Sequence, residues 1–323
     1  MPQLVTAFVE ATKRAYRALV PIRVRRGVRA RLTPASAADP RAAIRRFDLP
    51  LPSTDPPAVG ARASIRIEAP RGLFIPKELE RGGVQGYEPD TMAVLLGLAE
   101  WCPGPIFDVG ANVGPFALVA PALLDRPFFA FEPVPDIADA LRSIVARNGL
   151  ACTIEQLAVG DATGTATLYL SAASDASNSL RPGFRTPTGK IEVPLTTLDA
   201  YASRTGVWPG LLKIDTETTE PAVLRGATQV LDRRPWIVCE VLSGWTESEL
   251  ESQLGPLGYR YFQISDEIPL AQKAAIVGDP TLRHPNWLFA PSDPESSLWA
   301  SVSRWRAAID AAAGPATRVA TSR

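Results

Sequence analysis

An open α/β fold, with a mostly parallel sheet covered by helices on both faces, is what this 323-residue sequence predicts. Three observations predict it. Between residues 105 and 264, short β-prone apolar runs alternate with segments of helical period. Inside that stretch, residues 105–133 read as a βαβ unit with an acid at the tip of each strand, Asp108 and Glu132. A further apolar run, residues 211–215, also ends in an acid, Asp215, with Glu217 and Glu220 close behind. Ligands of open α/β sheets bind outside the carboxyl ends of the strands, so these tips point to one site.

Taken in order, residues 3–20 place Leu4, Val5, Phe8, Val9, Ala15, Tyr16, Leu19 and Val20 at helical spacing, and Pro21 closes the run. The arginine-rich residues 22–31 make this segment basic. It reads either as a solvated helix or as one that lies on an anionic membrane surface or docks on an acidic protein. Prolines 34, 40, 50, 52, 56 and 57 predict a linker or an extended wrapping strand. Residues 1–62 thus stand apart from a domain predicted over 63–290, followed by a C-terminal helix and tail over 291–323. Ordered structure is predicted to begin with the alternating strand 63–69, and residues 86–90 form a turn in which Asp90 caps a helix over 91–101.

After the βαβ unit the pattern predicts a helix over 136–148, a strand over 152–159, a turn at 160–164 and a strand over 165–170. A long loop, 171–189, precedes a strand over 191–195; loops of that length are commonly functional or disordered. Then come the strand 211–215, a helix 220–231, a strand 236–241, a helix 246–254, a strand 259–264, an edge strand 287–290 and a helix 297–313. The last ten residues read as disordered.

Composition narrows the class. With 46% hydrophobic and 21% charged residues the chain is globular and long enough to bury a sizeable core. Formal net charge is zero, which implies no general attraction to nucleic acid. Residues 1–46 nonetheless carry eleven basic side chains against two acids. Cysteines 102, 152 and 239 are odd in number and far apart, so they read as buried apolar residues in a reducing, cytoplasmic setting. No apolar run approaches the ~18–20 residues of a spanning helix. A single histidine, His284, excludes a histidine-rich metal cluster and leaves carboxylates for acid-base work. No metal ligand set is assigned, although three clustered acids suit a divalent ion.

The glycines around Asp108 separate two nucleoside chemistries. A dinucleotide fingerprint reads G-x-G-x-x-G. Here Gly110 is followed by Asn112 and then Gly114, and Asp108 precedes them. Asp108 repels a pyrophosphate and suits an ammonium group. Glu132, 24 positions further on, is placed to grip a ribose diol. An ammonium-bearing amino acid joined to a ribose describes S-adenosylmethionine. At the second site Lys213 lies on the same strand face as Asp215, and like charges within six positions raise one another's proton affinity. Glu217 and Glu220 also read as complements to the dipole of the following helix.

The order Tyr87-Glu88-Pro89, Phe107-Asp108-Val109-Gly110-Ala111-Asn112-Val113-Gly114, Phe129-Ala130-Phe131-Glu132-Pro133, Asn178-Ser179-Leu180, Thr197-Leu198-Asp199, Leu212-Lys213-Ile214-Asp215 and Leu224-Arg225-Gly226-Ala227 resembles the FkbM family of S-adenosylmethionine-dependent methyltransferases, over about residues 85–265. The resemblance implies a class I, Rossmann-like fold with seven strands, parallel except for one, and methyl transfer to hydroxyl oxygens of sugars, polyketides or related metabolites. It assigns Asp108, Gly110, Asn112 and Gly114 to the methionine part of the cofactor and Glu132 to the ribose. Pro133 and Glu88, in matching motifs, complete the expected cofactor set. Asp215, Glu217 and Glu220 match the acids of the family's Lys-Ile-Asp-x-Glu-Gly-x-Glu motif, in which the glycine is here Thr218. A β-branched residue takes positive φ poorly, so a reshaped turn below Glu217 is expected.

The function expected is therefore an O-methyltransferase of a small-molecule or glycan acceptor. Asp215 is the base or hydroxyl-orienting group, Glu217 its understudy, Lys213 a stabiliser of carboxylate or alkoxide, and Glu220 the remaining acid. Two other readings stay open: a non-catalytic protein that keeps the cofactor pocket, and a nicotinamide-dependent oxidoreductase.

Overall fold

The protein is described by a computed structural model over residues 43–56, 61–312 and 317–318. The expected helix over 3–20 and the basic segment 22–31 lie outside the described residues. So do most of the last ten residues.

Structure begins earlier than the proline pattern suggests. Strand β1 (Ile44–Pro50) pairs antiparallel with β2 (Ser64–Pro70), placing Phe47 opposite Ile67 and Leu49 opposite Ile65. All four side chains are buried. The expected linker is thus in part a packed strand, because the prolines flank its apolar alternation and the one inside, Pro50, ends it. A two-residue strand, β14 (Thr317–Arg318), pairs with the other edge of β1. Helix α1 (Phe74–Gly82) follows, and then α2 (Pro89–Trp101), which starts one residue before the expected cap. Asp90 makes no cap; Pro89 occupies the first turn, and Asp90 instead accepts from Arg306 Nε (2.6 Å).

The main sheet is built from β3 (Ile106–Val109), β4 (Phe128–Phe131), β5 (Cys152–Glu155), β9 (Leu211–Ile214), β10 (Trp236–Glu240), β11 (Arg260–Gln263), β12 (Gln272–Lys273) and β13 (Asn286–Ala290). Their order is β12-β11-β13-β10-β9-β3-β4-β5. The expected edge strand β13 is interior, running antiparallel between β10 and β11, and β12 adds an eighth, two-residue strand to the seven expected. The chain order reverses between β3 and β9, which makes the crevice at their carboxyl ends the switch point where such sheets bind ligands.

Alternation along the central strands feeds two cores. Ile106, Phe128, Ala130, Leu211, Trp236 and Val238 face α2, α3 (Pro115–Leu123), α4 (Pro135–Asn148) and α9 (Ser296–Ala311). Phe107, Val109, Phe131, Leu212, Ile214 and Ile237 face α5 (Leu198–Thr205), α6 (Glu220–Arg225), α7 (Thr228–Asp232) and α8 (Glu247–Leu254). The expected single helix over 220–231 is two, because Gly226 packs so tightly that a Cβ there would sit 2.0 Å from Gly160 O. Helix α5 was hidden in the sequence. Thr197 caps it by accepting from the Ala200 N–H, and Asp199 caps α7 by accepting from the N–H groups of Gln229 and Val230.

The expected strand 152–159 divides at Gln156: β5 stays in the main sheet, and β6 (Ala158–Val159) joins β8 (Pro187–Thr196) and β7 (Gly164–Ser171) in a small separate sheet. The loop between β7 and β8 is shorter than expected, residues 172–186, and holds a 3-10 turn at Asp175–Ser177. Among the described residues no helix is long and apolar enough to cross a membrane.

If β1 belongs to the domain core, Phe47→Ala removes a fully buried ring and costs about 3–5 kcal/mol of unfolding free energy. Urea denaturation checks this, and a loss under 1 kcal/mol would detach β1 from the fold.

Candidate active site

The tips of β3 and β9 touch. Gly110 has φ +82°, and a Cβ on it would lie 1.9 Å from Asp215 O, so only glycine lets the β3–α3 turn pass beneath the β9–α6 turn. Asn112 follows at φ +53° and ties three elements together. Its N–H donates to Glu132 Oε2 (2.9 Å), its Oδ1 accepts from the Val113 N–H (2.7 Å), and its Nδ2 donates to the Asp175 carbonyl on the β7–β8 loop (3.1 Å). Gly114 caps α3 and stands back from the opening.

A cleft open to solvent lies over these tips, a concave setting of the kind that small-molecule sites use. Gly110, Asn112, Glu132, Pro133, Lys213, Asp215 and Glu217 line it. Glu132 is buried, and its Oε1 accepts from the Val134 N–H (2.8 Å). Burial pushes its carboxyl up to about 7, against the pull of those two backbone N–H groups. Each oxygen accepts one N–H and keeps a lone pair for a ribose hydroxyl. Val134, Leu157 and Leu168 make the adjoining wall apolar, as a purine requires.

Asp108 is placed differently from expectation. Its side chain is fully buried beneath the cleft and does not line it. Asp108 and Lys213 are cross-strand partners of β3 and β9, and Lys213 Nζ lies 3.5 Å from Asp108 Oδ1 and 3.3 Å from Asp215 Oδ2. The ammonium also sits 4.8 Å from the centre of the Phe116 ring. Burial works against the ammonium, but the charges of Asp215 and Asp108 outweigh it and hold its proton affinity above the ordinary lysine value. Burial pushes Asp108 up to about 6, and Lys213 pulls it back. The ammonium that Asp108 meets in this structure is therefore the protein's own.

The acids after β9 divide by role. Asp215 is partly exposed on the cleft floor. Glu217 is buried at the cleft wall, and Ser179 Oγ donates to its carbonyl (2.6 Å). Glu220 faces inward: its Oε1 accepts from the Thr216 N–H (2.8 Å), Thr216 Oγ1 (3.1 Å) and the Thr218 N–H (3.2 Å), and burial pushes it up to about 7. It braces the turn and does not line the cleft. The acid that does meet Asp215 and Glu217 is Glu240 at the end of β10, which sequence reading passed over. Oxygens of Asp215, Glu217 and Glu240 lie within 4.8 Å of one another, close enough to ligate one divalent cation. The signal for Glu240 was an acid closing the apolar run Trp236-Ile237-Val238-Cys239.

Thr218 overturns the expected reshaping of the turn. It adopts φ +87°, directly after Glu217 at φ +55°, so the glycine-like conformation is kept by a β-branched residue. Glu88 lies to one side, at φ +48°, accepting from Asn286 Nδ2 (3.0 Å) on a second cleft that also holds His284. Tyr87 lines both clefts.

Strand order, crevice and acid-tipped strands define the architecture of a class I methyltransferase. Residues 108–261, just under half of the chain, match the methyltransferase FkbM domain, which supports a methyltransferase of the FkbM family with S-adenosylmethionine as its cofactor. A curated relative, the 31-O-demethyl-FK506 methyltransferase FkbM of Streptomyces tacrolimicus, is 35% identical over a match that covers 38% of this chain and 60% of the relative. Less than two thirds of that relative is therefore spanned. Among solved structures, the T. thermophilus 16S rRNA N2 G1207 methyltransferase in complex with AdoMet and guanosine is 12% identical at a TM-score of 0.40, covering 79% of this chain and 52% of that one. A SAM-dependent methyltransferase from Agrobacterium tumefaciens is 8% identical at a TM-score of 0.35, with 71% and 68% covered.

Strain at Thr218, of order 1–3 kcal/mol, exceeds what its buried methyl contributes, about 0.8 kcal/mol. Its buried hydroxyl also makes no hydrogen bond. Thr218→Gly is accordingly expected to raise unfolding free energy by about 1 kcal/mol, read from denaturant midpoints; a decrease would show that packing governs this position.

Proposed function

We propose that the protein transfers a methyl group from S-adenosylmethionine to a hydroxyl oxygen of a sugar, polyketide or related small metabolite. The observation that carries this reading is the meeting of Asp215, Glu217 and Glu240 at the edge of a cleft that holds Glu132. The cofactor supplies an electrophilic sulfonium methyl and a neutral thioether leaving group. The chain's own residues then have two tasks, orientation and proton removal.

Glu132 would hold the ribose diol, and the apolar wall beside it would take the purine. Asp215, paired with Lys213 Nζ at 3.3 Å, accepts a hydrogen bond from the acceptor hydroxyl and aims its oxygen. As the O–CH3 bond forms and the S–CH3 bond breaks, the hydroxyl proton passes to the carboxylates. A proton on Glu217 or Glu240 relieves repulsion among three like charges, so these two are the acceptors of choice. Lys213 limits the negative charge left behind. The identity and substrate of the relative support oxygen as the methylated atom.

Asp215→Asn is expected to leave S-adenosylmethionine affinity within about threefold and to lower kcat by about 10²–10⁴. Calorimetric titration and transfer of labelled methyl separate the two effects, and full turnover in the variant would remove Asp215 from the reaction. A pH dependence follows from Glu132. A carboxyl raised to about 7 is largely protonated at pH 6, whereas a ribose diol donates its hydrogen bonds to the ionised form. Cofactor affinity should therefore rise between about pH 5.5 and 7.5, with a proton released on binding. The same shift makes the ligand-free protein lose stability as pH rises from the ordinary 4.5 through about 7. Calorimetry in two buffers of different ionisation enthalpy counts the proton; a flat profile would contradict the assignment of Glu132.

A further inference from the structure

The β7–β8 loop, residues 172–186, lies along the cleft for half its length and then leaves it. Ala176, Asn178, Ser179 and Leu180 line the opening, and Ser179 holds the Glu217 carbonyl. Beyond them the loop carries Arg181, Phe184 and Arg185 to the segment that follows β10. There Phe184 meets Trp245 edge-on, with ring centroids 5.3 Å apart. The Arg181 guanidinium lies 5.4 Å from the Trp245 ring centre, and the Arg185 guanidinium 4.4 Å from that of Phe184.

Three properties of this cluster bear on its use. Trp245 is 42% exposed, while most large apolar side chains of the described residues are buried. Its segment is fixed, because the Gly244 N–H donates to Glu247 Oε1 (2.7 Å) and the Thr246 N–H to Oε2 (3.2 Å). Neither Arg181 nor Arg185 has a carboxylate partner among the described residues, and Arg185 Nε makes no hydrogen bond. Several other arginines of the domain do pair, Arg225 with Asp161 and Glu249 and Arg260 with Asp293, whereas Arg204 and Arg233 also lie over rings, those of Tyr201 and Trp208, away from the cleft lining. An aromatic latch that only pinned the loop would have no use for two uncompensated guanidiniums. A guanidinium stacked on a ring face is held flat and ready for bidentate binding of an oxyanion.

Position completes the argument. The cluster stands on two segments that both reach the reacting acids, one through Ser179 at Glu217 and the other through Glu240, five positions before Trp245. We propose that Arg181, Phe184, Arg185 and Trp245 bind an oxyanion carried by the methyl acceptor, with the aromatic faces covering its adjacent ring. This rests on the methyltransferase reading above and deepens it by naming a charged acceptor class. The arrangement orients the acceptor one way: the anion is drawn to the arginines and repelled by Asp215, Glu217 and Glu240, so a neutral hydroxyl is what reaches the acids.

The test separates a metabolite extract on an anion exchanger and offers each fraction to the full-length protein with methyl-labelled S-adenosylmethionine. Transfer is expected in retained fractions. The double variant Arg181→Gln/Arg185→Gln should raise KM for the retained acceptor by about tenfold, move kcat by less than about twofold, and leave cofactor affinity by calorimetry unchanged. Lysine at both positions should recover part of the KM. Loss of transfer after alkaline phosphatase would identify the oxyanion as phosphate; persistence would identify sulfate or carboxylate. Transfer confined to the unretained neutral fraction, with equal KM in both proteins, overturns the proposal and leaves methyl transfer standing. Transfer to no fraction overturns the methyltransferase reading and this proposal with it.

Discussion

An ammonium buried between two carboxylates governs the geometry of this protein. Burying an uncompensated lysine costs several kcal/mol, and Lys213 is nearly inaccessible. Asp108 answers it across the β3–β9 ladder and Asp215 answers it two residues along its own strand. A slip of one residue between these strands would drive Lys213 into the face built from Phe107, Leu212 and Ile214, so the ion pair fixes the register. It also fixes the switch point, because β3 and β9 are the strands between which the chain order reverses. The crevice, its floor and the placement of Asp215 all descend from that one pairing.

Seen from the sequence, most of the sheet was legible because its strands are apolar runs ending in acids or turns. What escaped had a physical reason in each case. Strand β1 was masked by its neighbouring prolines, although Phe47 and Leu49 alternate as a buried strand should. The position of β13 inside the sheet depends on pairing across the chain, which periodicity does not carry. Helix α5 is short, and its cap, Thr197, reads as one more residue of the preceding strand.

The site was legible in outline and less so in its roles. Spacing brought Asp215, Glu217 and Glu220 to one strand tip, but burial direction, not spacing, decides what an acid does. Glu220 turns inward and satisfies three donors of its own turn; Glu217 turns to the cleft; Glu240 arrives from a different strand. Asp108 shows the same lesson in reverse. A strand-end acid looks ligand-facing in the sequence, yet a cross-strand lysine claims it. Asn112 and Glu132, by contrast, are joined by a hydrogen bond at the cleft, and the motifs containing them carried the resemblance.

The turn after β9 links these roles to the loop above them. Two successive residues with positive φ, neither of them glycine, are held there against a cost of order 1–3 kcal/mol each. The six-residue helix α6 is too short to impose that conformation alone. Glu220 grips the turn from below through the Thr216 and Thr218 N–H groups, and Ser179 grips it from above through the Glu217 carbonyl. Ser179 belongs to the same loop that Asn112 holds at the Asp175 carbonyl, so the turn after β3, the loop and the acid turn form one hydrogen-bonded circuit. Displacing the loop removes the upper grip on a strained residue whose carboxylate belongs to the acid trio. The placement of Glu217 thus rests on the loop as well as on its own strand, which makes the loop part of the support of the acid trio.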